Sequence, residues 1–258
     1  MKQLEMKDWW PWYRRIVETF GYDQSKDQAA ADLLSKLLAG KATDPSELKK
    51  RLANRAVLIF GGGPSLEEDL GRIIHEGVLR KFVTVVADGA TTALLHVANA
   101  VPDVIVTDLD GIIGDIVSAQ RLGSTVVVHA HGDNIEQLQR YVPELPCAVG
   151  STQVEPRPNV HNFLGFTDGD RAVFLSAAMN VKLIVLAGMD FGLVVGRYSK
   201  QRVKSLAMKR KKLKISLELL EWLAQKAQRD IALYNLTANG EEISGFRSIQ
   251  PEDLKKLV

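Results

Sequence analysis

The stretch Val101-Pro-Asp-Val-Ile-Val-Thr-Asp-Leu-Asp-Gly111 decides the fold prediction. Its β-branched run follows a Pro-Asp turn signal and is typical of a buried strand in a parallel sheet. Side chains two apart point the same way in extended backbone, so we expect Asp108 and Asp110 to share a face, with Leu109 turned into the core. Two carboxylates on one face repel unless a cation lies between them, which indicates a Mg²⁺ site. A solvated, Asp-rich turn is the alternative.

The composition sets the class of protein. The chain has 258 residues, of which 46% are hydrophobic and 25% charged, as in a globular protein with a sizeable core. The net charge of +2 argues neither for nor against an anionic partner. Cys147 is the only cysteine, so no intramolecular disulfide can form and an intracellular site is favoured. No apolar run reaches membrane-spanning length and charges interrupt the N-terminal segment, so we expect a cytoplasmic protein with no membrane contact.

The pattern of apolar residues divides the chain in two. Residues 1–55 show helical spacing and no strand signal. We expect a helical N-terminal region that covers the main domain, with a separate binding module as the less favoured alternative. From residue 56 onward, short β-branched runs alternate with helical segments. This alternation predicts an α/β catalytic domain over residues 56–258, with a Rossmann-like, mostly parallel sheet and helices on both faces.

A glycine-rich turn follows the first predicted strand of this domain. The chain reads Gly61-Gly62-Gly63-Pro64-Ser65-Leu66 between the strand 56–60 and a helical segment. Glycines let the backbone approach a ligand, and a helix N-terminus offers free N–H groups to an anion. The turn matches neither Gly-x-Gly-x-x-Gly nor a Walker A loop, so an ordinary tight turn is the alternative. The candidate nucleotide-binding residues here are Gly62, Gly63, Pro64 and Ser65.

Other acids follow other predicted strands. Asp88-Gly89 follows the strand 82–87, and Asp190 lies near glycines after the strand 182–187. The carboxyl ends of the strands meet along one edge of a doubly wound sheet. We therefore expect Asp88 to converge with Asp108, Asp110 and the glycine turn.

Polar residues also begin two predicted helices. In Thr167-Asp168-Gly169-Asp170-Arg171 the helix dipole favours both acids without any ligand, and Arg171 is a candidate phosphate contact. Asn134 precedes another helix, where it either faces the same cleft or only caps the helix.

A basic run lies in the segment 197–228, which we predict to be mainly helical. Residues 197–214 hold nine Lys or Arg and no acid. Such a run is usually a solvated helix face, and the alternative is that it folds over a triphosphate. The basic residues are confined to this one segment, and the net charge of the whole chain is close to zero. A nucleic-acid partner is therefore not favoured.

The acidic motifs resemble those of a known family. Asp88-Gly89-Ala90 followed by Pro102-Asp-Val-Ile-Val-Thr-Asp-Leu-Asp-Gly111 is similar to the paired motifs of thiamin pyrophosphokinases, in which an acid and a Gly-Asp-x-Asp-Ser segment bind magnesium and ATP. The chain departs from that pattern, because Thr107 replaces the glycine and Gly111 the serine. The C-terminal β-sandwich of that family is not predicted either.

A closer resemblance rests on several motifs taken together. It covers about residues 56 to 258, with an N-terminal helical region that is also typical, and points to the archaeal 6-hydroxymethyl-7,8-dihydropterin pyrophosphokinases. The motifs are the Gly61–Leu66 turn, Thr167-Asp168-Gly169-Asp170-Arg171, Gly188-Met189-Asp190-Phe191-Gly192, Tyr234-Asn235-Leu236-Thr237, Gly240 and Ile243-Ser244-Gly245.

The resemblance implies a reaction and a site. ATP would donate its β,γ-diphosphate to the primary alcohol of a dihydropterin and release AMP, in folate or methanopterin synthesis. Asp88, Asp108 and Asp110 are the implied Mg²⁺ ligands, with Asp108, Asp110 and Arg171 as catalytic residues. The glycine turn with Asp88 and Gly89 would bind the nucleotide. Asn134, Asp168 and Asp190 are candidates for the substrate.

Three alternatives stay open. A thiamin diphosphokinase would share the mechanism and change the acceptor. A nucleotide-sugar-dependent transferase could also anchor metal and phosphate on an Asp-x-Asp at a strand end. The third is a nucleotide-binding scaffold without catalysis. The general base and a homo-oligomeric state are left open as well.

Overall fold

The computed structural model describes residues 5–192, 194, 196–198, 205–227, 230–238 and 240–258. Its strands are β1 (Ala56–Phe60), β2 (Val83–Ala87), β3 (Val104–Thr107), β4 (Thr125–Ala130), β5 (Val149–Thr152), β6 (Val160–His161), β7 (Leu183–Ala187), β8 (Ala232–Asn235) and β9 (Arg247–Ser248). Its α-helices are α1 (Met6–Phe20), α2 (Gln24–Leu37), α3 (Pro45–Leu52), α4 (Leu66–His75), α5 (Ala90–His96), α6 (Ile113–Arg121), α7 (Ile135–Tyr141), α8 (Asp168–Ala178) and α9 (Leu206–Ala227). Short 3₁₀ turns span Leu79–Lys81, Val142–Glu144 and Pro251–Lys256.

These strands form one parallel sheet in the order β6-β5-β4-β3-β2-β1-β7-β8-β9. The chain winds outward from β1 to β6 and then returns to β7 on the other side of β1. Open α/β sheets bind ligands where the strand order reverses, at the carboxyl ends of the strands. The predicted Rossmann-like, parallel sheet is confirmed, and its switch point lies between β1 and β7.

Alternating side chains of the strands fill two cores, one on each face of the sheet. In β1, Val57 and Ile59 belong to the core shared with α1, α3, α8 and α9. Leu58 and Phe60 belong to the core shared with α4, α5, α6 and α7. The unbroken apolar runs of the sequence are therefore buried on both sides, as parallel sheets require. The sequence does not predict β6 and β9, because two-residue strands carry no periodicity.

The N-terminal helices pack directly on this sheet. Trp9 is fully buried, and its indole N–H donates a hydrogen bond to the backbone carbonyl of Gln153 at 2.8 Å. Ala42 pairs with Ala148 in a short parallel bridge. These contacts suit N-terminal helices that cover the main domain. The predicted domain boundary at residue 55 stays a prediction.

Two further predictions concern segments and location. Of the basic segment 197–228, residues 199–204 and 228 lie outside the described residues, and α9 begins at Leu206. No helix in the described part of the chain has the length and apolarity needed to cross a membrane. The cytoplasmic location stays a prediction.

Candidate active site

The glycine loop, residues 61–65, lies at the switch point of the sheet. The Gly61 N–H donates to the carbonyl of Ala187 at 2.9 Å, and the Gly63 N–H donates to the carbonyl of Gly188 at 2.8 Å. A β-carbon on Gly61 would lie only 2.6 Å from the Gly188 carbonyl oxygen. Glycine is therefore required where the loop approaches the end of β7.

Asp190 reaches this loop from the end of β7. Its Oδ2 atom accepts a hydrogen bond from the Ser65 hydroxyl at 3.0 Å, with the Ser65 backbone N–H at 3.4 Å. Burial raises the pKa of Asp190, and the hydrogen bonds from Ser65 oppose that rise. The structure thus brings Asp190, Gly63 and Ser65 together.

Asp69 is a buried carboxylate on α4 that is not among the residues predicted from the sequence. Its Oδ2 atom lies 3.0 Å from the Ser65 hydroxyl and accepts from the Gly188 N–H at 2.8 Å, while Oδ1 accepts from the Ala238 N–H at 2.9 Å. Burial raises the pKa of Asp69, against the effect of these hydrogen bonds. One side chain therefore joins the glycine loop to the segments that follow β7 and β8.

Three carboxylates converge beside the glycine loop. Asp88 follows β2, Asp108 follows β3 and Asp168 begins α8, and one oxygen of each lies within 4.8 Å of the others. We call these residues the acid cluster. The sequence predicts Asp88 and Asp108 as metal ligands, whereas it assigns Asp168 to the substrate. Asp110, a predicted ligand, is half-buried and does not belong to this group.

The backbone after β3 explains the position of Asp110. The strand ends at Thr107, and Leu109 takes a left-handed conformation with φ of 66°. The Thr107 hydroxyl accepts a hydrogen bond from the Leu109 N–H at 2.8 Å, which holds this turn. Leu109 is buried as predicted. The extended backbone that would place Asp108 and Asp110 on one face is absent, because the chain turns between them.

Thr107 and Gly111 both contact Asp88. The Thr107 hydroxyl donates a short hydrogen bond to Asp88 Oδ1. A β-carbon on Gly111 would lie 2.9 Å from both carboxylate oxygens of Asp88. These are the positions at which the chain departs from the thiamin pyrophosphokinase motif, so both departures lie next to Asp88.

His131 and Asn134 support Asp108 from the loop after β4. The His131 Nδ1 atom accepts from the Asp133 N–H at 3.2 Å, so Nε2 carries the proton and donates to Asp108 Oδ2 at 3.3 Å. The Asn134 amide donates to the carbonyls of Asp108 and His129 at 2.9 and 2.7 Å. Asn134 is buried and both its N–H groups are used, so it fixes this loop beneath Asp108.

Arg171 pairs with the third member of the cluster. Its Nη1 atom donates to Asp168 Oδ1 at 3.1 Å, across one turn of α8, and both side chains are largely buried. Burial raises the pKa of Asp168 well above its ordinary value, and the Asp108 charge adds to this while Arg171 opposes it. Arg171 thus offsets part of the negative charge at Asp168.

A buried chain of hydrogen bonds connects Arg171 to the N-terminal helices. Arg171 Nη2 donates to Gln153 Oε1 at 3.2 Å, and the Gln153 amide donates to Asp27 Oδ2 at 2.8 Å. Asp27, on α2, also accepts from the Tyr13 hydroxyl at 2.7 Å and the Gly132 N–H at 2.7 Å. The helical N-terminal region therefore holds two supports of the acid cluster, the Arg171 side chain and the loop that carries His131.

Gly89 and the glycine loop lie against the described part of the basic segment. A β-carbon on Gly89 would collide with the backbone carbonyl of Tyr198. Gly196 lies against the backbone of Gly62 and Gly63 in the same way. The Tyr198 hydroxyl and Arg197 both donate to Glu67 at the start of α4, at 2.6 and 3.0 Å. Residues 196–198 therefore cover the predicted nucleotide-binding glycines.

The sequence misses several residues of this site for a common reason. Asp27 lies in a helix and Gln153 in a connection, where a polar residue is ordinarily solvated, and no local pattern marks either of them. An acid on the apolar side of its helix is the one available signal for Asp69, which lies between Leu66 and Leu70.

The fold and the site together define a class of protein. It is a Rossmann-like α/β protein with a glycine loop at the switch point of its sheet and a carboxylate cluster beside it. The oxygen donors of the acid cluster suit a hard divalent cation, and a cation between like charges lowers their mutual repulsion. Such a site can hold a metal ion together with a phosphorylated ligand.

Comparison with known proteins gives a family within this class. A model of the family described as 6-hydroxymethylpterin diphosphokinase MptE-like matches residues 32–196. Proteins named 6-hydroxymethyl-7,8-dihydropterin pyrophosphokinase are similar over most of the chain. That of Methanothermobacter thermautotrophicus is 45% identical, over 85% of this chain and 95% of its own. That of Pyrococcus furiosus is 42% identical, over 90% of this chain and 100% of its own. That of Methanocaldococcus jannaschii is 41% identical, over 87% of this chain and 98% of its own.

The chain belongs to this MptE-like family of 6-hydroxymethylpterin diphosphokinases. The family resemblance predicted from the sequence motifs is confirmed.

Proposed function

We propose that the protein transfers the β,γ-diphosphate of ATP to the hydroxymethyl oxygen of 6-hydroxymethyl-7,8-dihydropterin and releases AMP. The names of its relatives support the substrates and the reaction. The observation that carries the proposal is the acid cluster, in which Asp88, Asp108 and Asp168 meet beside the glycine loop. A donor as anionic as ATP needs such a site, because the charge of its phosphates must be offset where the transfer occurs.

In this proposal the acid cluster holds Mg²⁺. A bound Mg²⁺ would offset the phosphate charge and make the β-phosphorus more electrophilic. Asp88 and Asp108 offer their carboxylate oxygens from the ends of adjacent strands, and Asp168 adds a third from α8. Asp110 remains a candidate for contact through water. Thr107, His131 and Arg171 keep the three carboxylates in place through the hydrogen bonds described above.

The glycine loop would receive the nucleotide. Gly62, Gly63, Pro64 and Ser65 lie at the N-terminus of α4, and the partly exposed Gly62 and Gly63 would let phosphate or ribose oxygens approach beside residues 196–198 without meeting a β-carbon. Gly89, next to Asp88, offers a second small residue. Arg171 contributes positive charge close to the acid cluster.

The chemical step is a displacement at the β-phosphorus. The pterin hydroxyl oxygen forms a bond to that phosphorus, and the bond between the phosphorus and the oxygen bridging it to the α-phosphate breaks. AMP leaves with that electron pair, and the hydroxyl proton is lost to solvent or to a nearby base. The residues of the site hold the reactants in line and offset their charge.

The acceptor ring would be recognised by polar side chains near the cluster. The guanidine-like edge of a pterin pairs well with a carboxylate, and Asp190 is the candidate for this contact. Asn134 has acceptor capacity left on its amide oxygen, and Asp168 remains a candidate should it contact substrate as well as metal.

A turnover assay separates this proposal from its rivals. The protein is incubated with ATP, Mg²⁺ and either 6-hydroxymethyl-7,8-dihydropterin or thiamin, and AMP is quantified. We expect AMP with the pterin only. If AMP forms only with thiamin, thiamin is the acceptor. If no AMP forms with either compound and the protein binds nucleotide sugars, the result favours the transferase.

A further inference from the structure

We propose that Lys212, on α9, binds the polyphosphate of the nucleotide substrate beside the acid cluster. The inference deepens the proposed function and rests on it. The basic run 197–214 as a whole is a weak signal, but one of the members that the structure describes differs from the others in its surroundings. Arg210, Lys211 and Lys214 are exposed, whereas Lys209 and Lys212 are half-buried. Of these two, Lys212 is the one on which the charges of the acid cluster act.

The packing of α9 sets the position of Lys212. Ser216, one helical turn further along, donates to Asp170 Oδ1 at 3.0 Å and lies 3.1 Å from the Thr167 hydroxyl. Residues four apart lie on the same face of a helix. This face of α9 therefore meets the start of α8, where Asp168 enters the acid cluster.

An aromatic cradle holds the Lys212 ammonium. Its Nζ atom lies 5.7 Å from the ring centroid of Tyr22 and 5.7 Å from that of Phe166. Phe20 packs against both of these rings, with its ring centroid 5.4 Å from that of Tyr22 and 5.3 Å from that of Phe166. Aromatic faces attract a cation without placing an opposite charge beside it, so an anion can still bind to the ammonium.

The charges around Lys212 belong to the proposed site. The charged groups that act on it are Arg171, Asp108, Asp133 and Asp168. Burial lowers the pKa of Lys212 and Arg171 adds to this, while the three carboxylates oppose it. Lys212 forms no ion pair with any residue that the structure describes. A largely desolvated ammonium close to the acid cluster, without a carboxylate partner of its own, is suited to a phosphate oxygen.

The N-terminal region acquires a role through this contact. Phe20 and Tyr22 come from the junction of α1 and α2, and Phe166 precedes α8. The helical cover thus supplies Tyr22, one of the two rings that contact the cation, and Phe20, which packs against both. Charge supplied at this point would offset the negative charge of the phosphoryl oxygens both in bound ATP and during transfer.

Calorimetric titration of the full chain with ATP in the presence of Mg²⁺ tests the inference. The variants are Lys212→Ala, Lys212→Gln, which keeps a polar but uncharged side chain one atom shorter, and Lys212→Arg, which keeps the charge. Lys226→Ala is the matched control, since Lys226 is exposed on the same helix outside the basic run. AMP with Mg²⁺, and Mg²⁺ alone, are titrated in parallel.

We expect the Ala and Gln variants to bind ATP about tenfold or more weakly than the wild type, a change near 1.4 kcal/mol. AMP, which lacks the β- and γ-phosphates, and Mg²⁺ alone should bind almost as before. Lys212→Arg should recover most of the ATP affinity, and Lys226→Ala should match the wild type.

Unchanged ATP affinity in both neutral variants would overturn the inference. An equal loss of affinity for ATP, AMP and Mg²⁺ would also overturn it, because that pattern means that Lys212 only maintains the structure. No acceptor is present, so the result is independent of the reaction. A wild-type protein that binds ATP through Lys212 but forms no AMP with the pterin would contradict the proposed function and leave this inference standing.

Discussion

The carboxylate of Asp190 lies against Gly63, and its Oδ2 atom occupies the space that a β-carbon on Gly63 would need. The contact joins the end of β7 to the glycine loop after β1, across the switch point of the sheet. The glycine at this position is therefore explained by a neighbouring side chain as well as by the nucleotide that the loop is proposed to bind.

Replacement of Gly63 by alanine tests this contact. The added methyl group must displace Asp190 or the loop itself, so we expect the KM for ATP to rise about tenfold or more. Gly71→Ala is the control, because Gly71 is exposed on α4 with open space around it. That control should leave the kinetics unchanged and raise the free energy of unfolding by about 0.5–1 kcal/mol. Equal kinetics for both variants would contradict the role given to the Gly63 contact.

The pair Asp168→Asn and Asp170→Asn separates the acid cluster from the helix cap beside it. Asp168 belongs to the cluster, so its variant should lose about tenfold or more in Mg²⁺ affinity while keeping its stability without metal. Asp170 accepts hydrogen bonds from the N–H groups of Phe166 and Thr167 at 2.7 and 2.6 Å, so its variant should lose about 1–3 kcal/mol of stability. Calorimetric Mg²⁺ titration and urea unfolding in EDTA measure the two quantities. The reverse pattern would place the metal site elsewhere.

Thr107 offers a test of the support given to Asp88. Thr107→Val keeps the shape of the side chain and removes the hydroxyl that donates to Asp88, so we expect Mg²⁺ affinity or kcat to fall about tenfold. Thr107→Ser retains the hydroxyl and should stay within a few-fold of the wild type. If the serine variant is as impaired as the valine variant, the methyl group matters and the hydrogen bond does not.

The raised pKa of the buried Asp69 carboxyl should make the stability of the protein depend on pH. Burial raises its pKa in the folded protein above the unfolded value, so the folded state binds more protons between the two values. Its contribution to the free energy of unfolding therefore falls as the pH rises through that window, which begins at roughly 4. Asp69→Asn removes this titration. Urea titrations at several pH values, starting at roughly pH 4, give the unfolding free energy of both proteins. The value for the wild type minus that for the variant should fall as the pH rises. A difference that grows would mean that the hydrogen bonds lower the folded-state pKa.

The sequence predicts the parts of this site that lie at the ends of strands. Asp88, Asp108 and the glycine turn each follow an apolar run, and a parallel sheet brings the ends of such runs together. Asp168 is harder to assign, because a helix start explains an acid without any ligand. The position of Asp110 depends on the left-handed turn at Leu109, which an alternating pattern cannot reveal.

The remaining residues depend on packing between distant parts of the chain. Asp27 is separated from Gln153 by 126 residues, and Ser65 from Asp190 by 125 residues. Lys212 looks like its exposed neighbours until α9 is docked on α8. Such residues become visible only once the fold is known, since local spacing carries no information about their partners.

The most direct test of the central claim follows the phosphates through the reaction. ATP labelled at its β-phosphate is supplied with Mg²⁺ and 6-hydroxymethyl-7,8-dihydropterin to the wild type and to Asp108→Ala, and products are resolved by ³¹P NMR or chromatography. We expect the label on the pterin as a diphosphate, with an equal amount of AMP, and no transfer by the variant. ADP with an unlabelled pterin monophosphate, or undiminished transfer by Asp108→Ala, would contradict diphosphate transfer at the acid cluster.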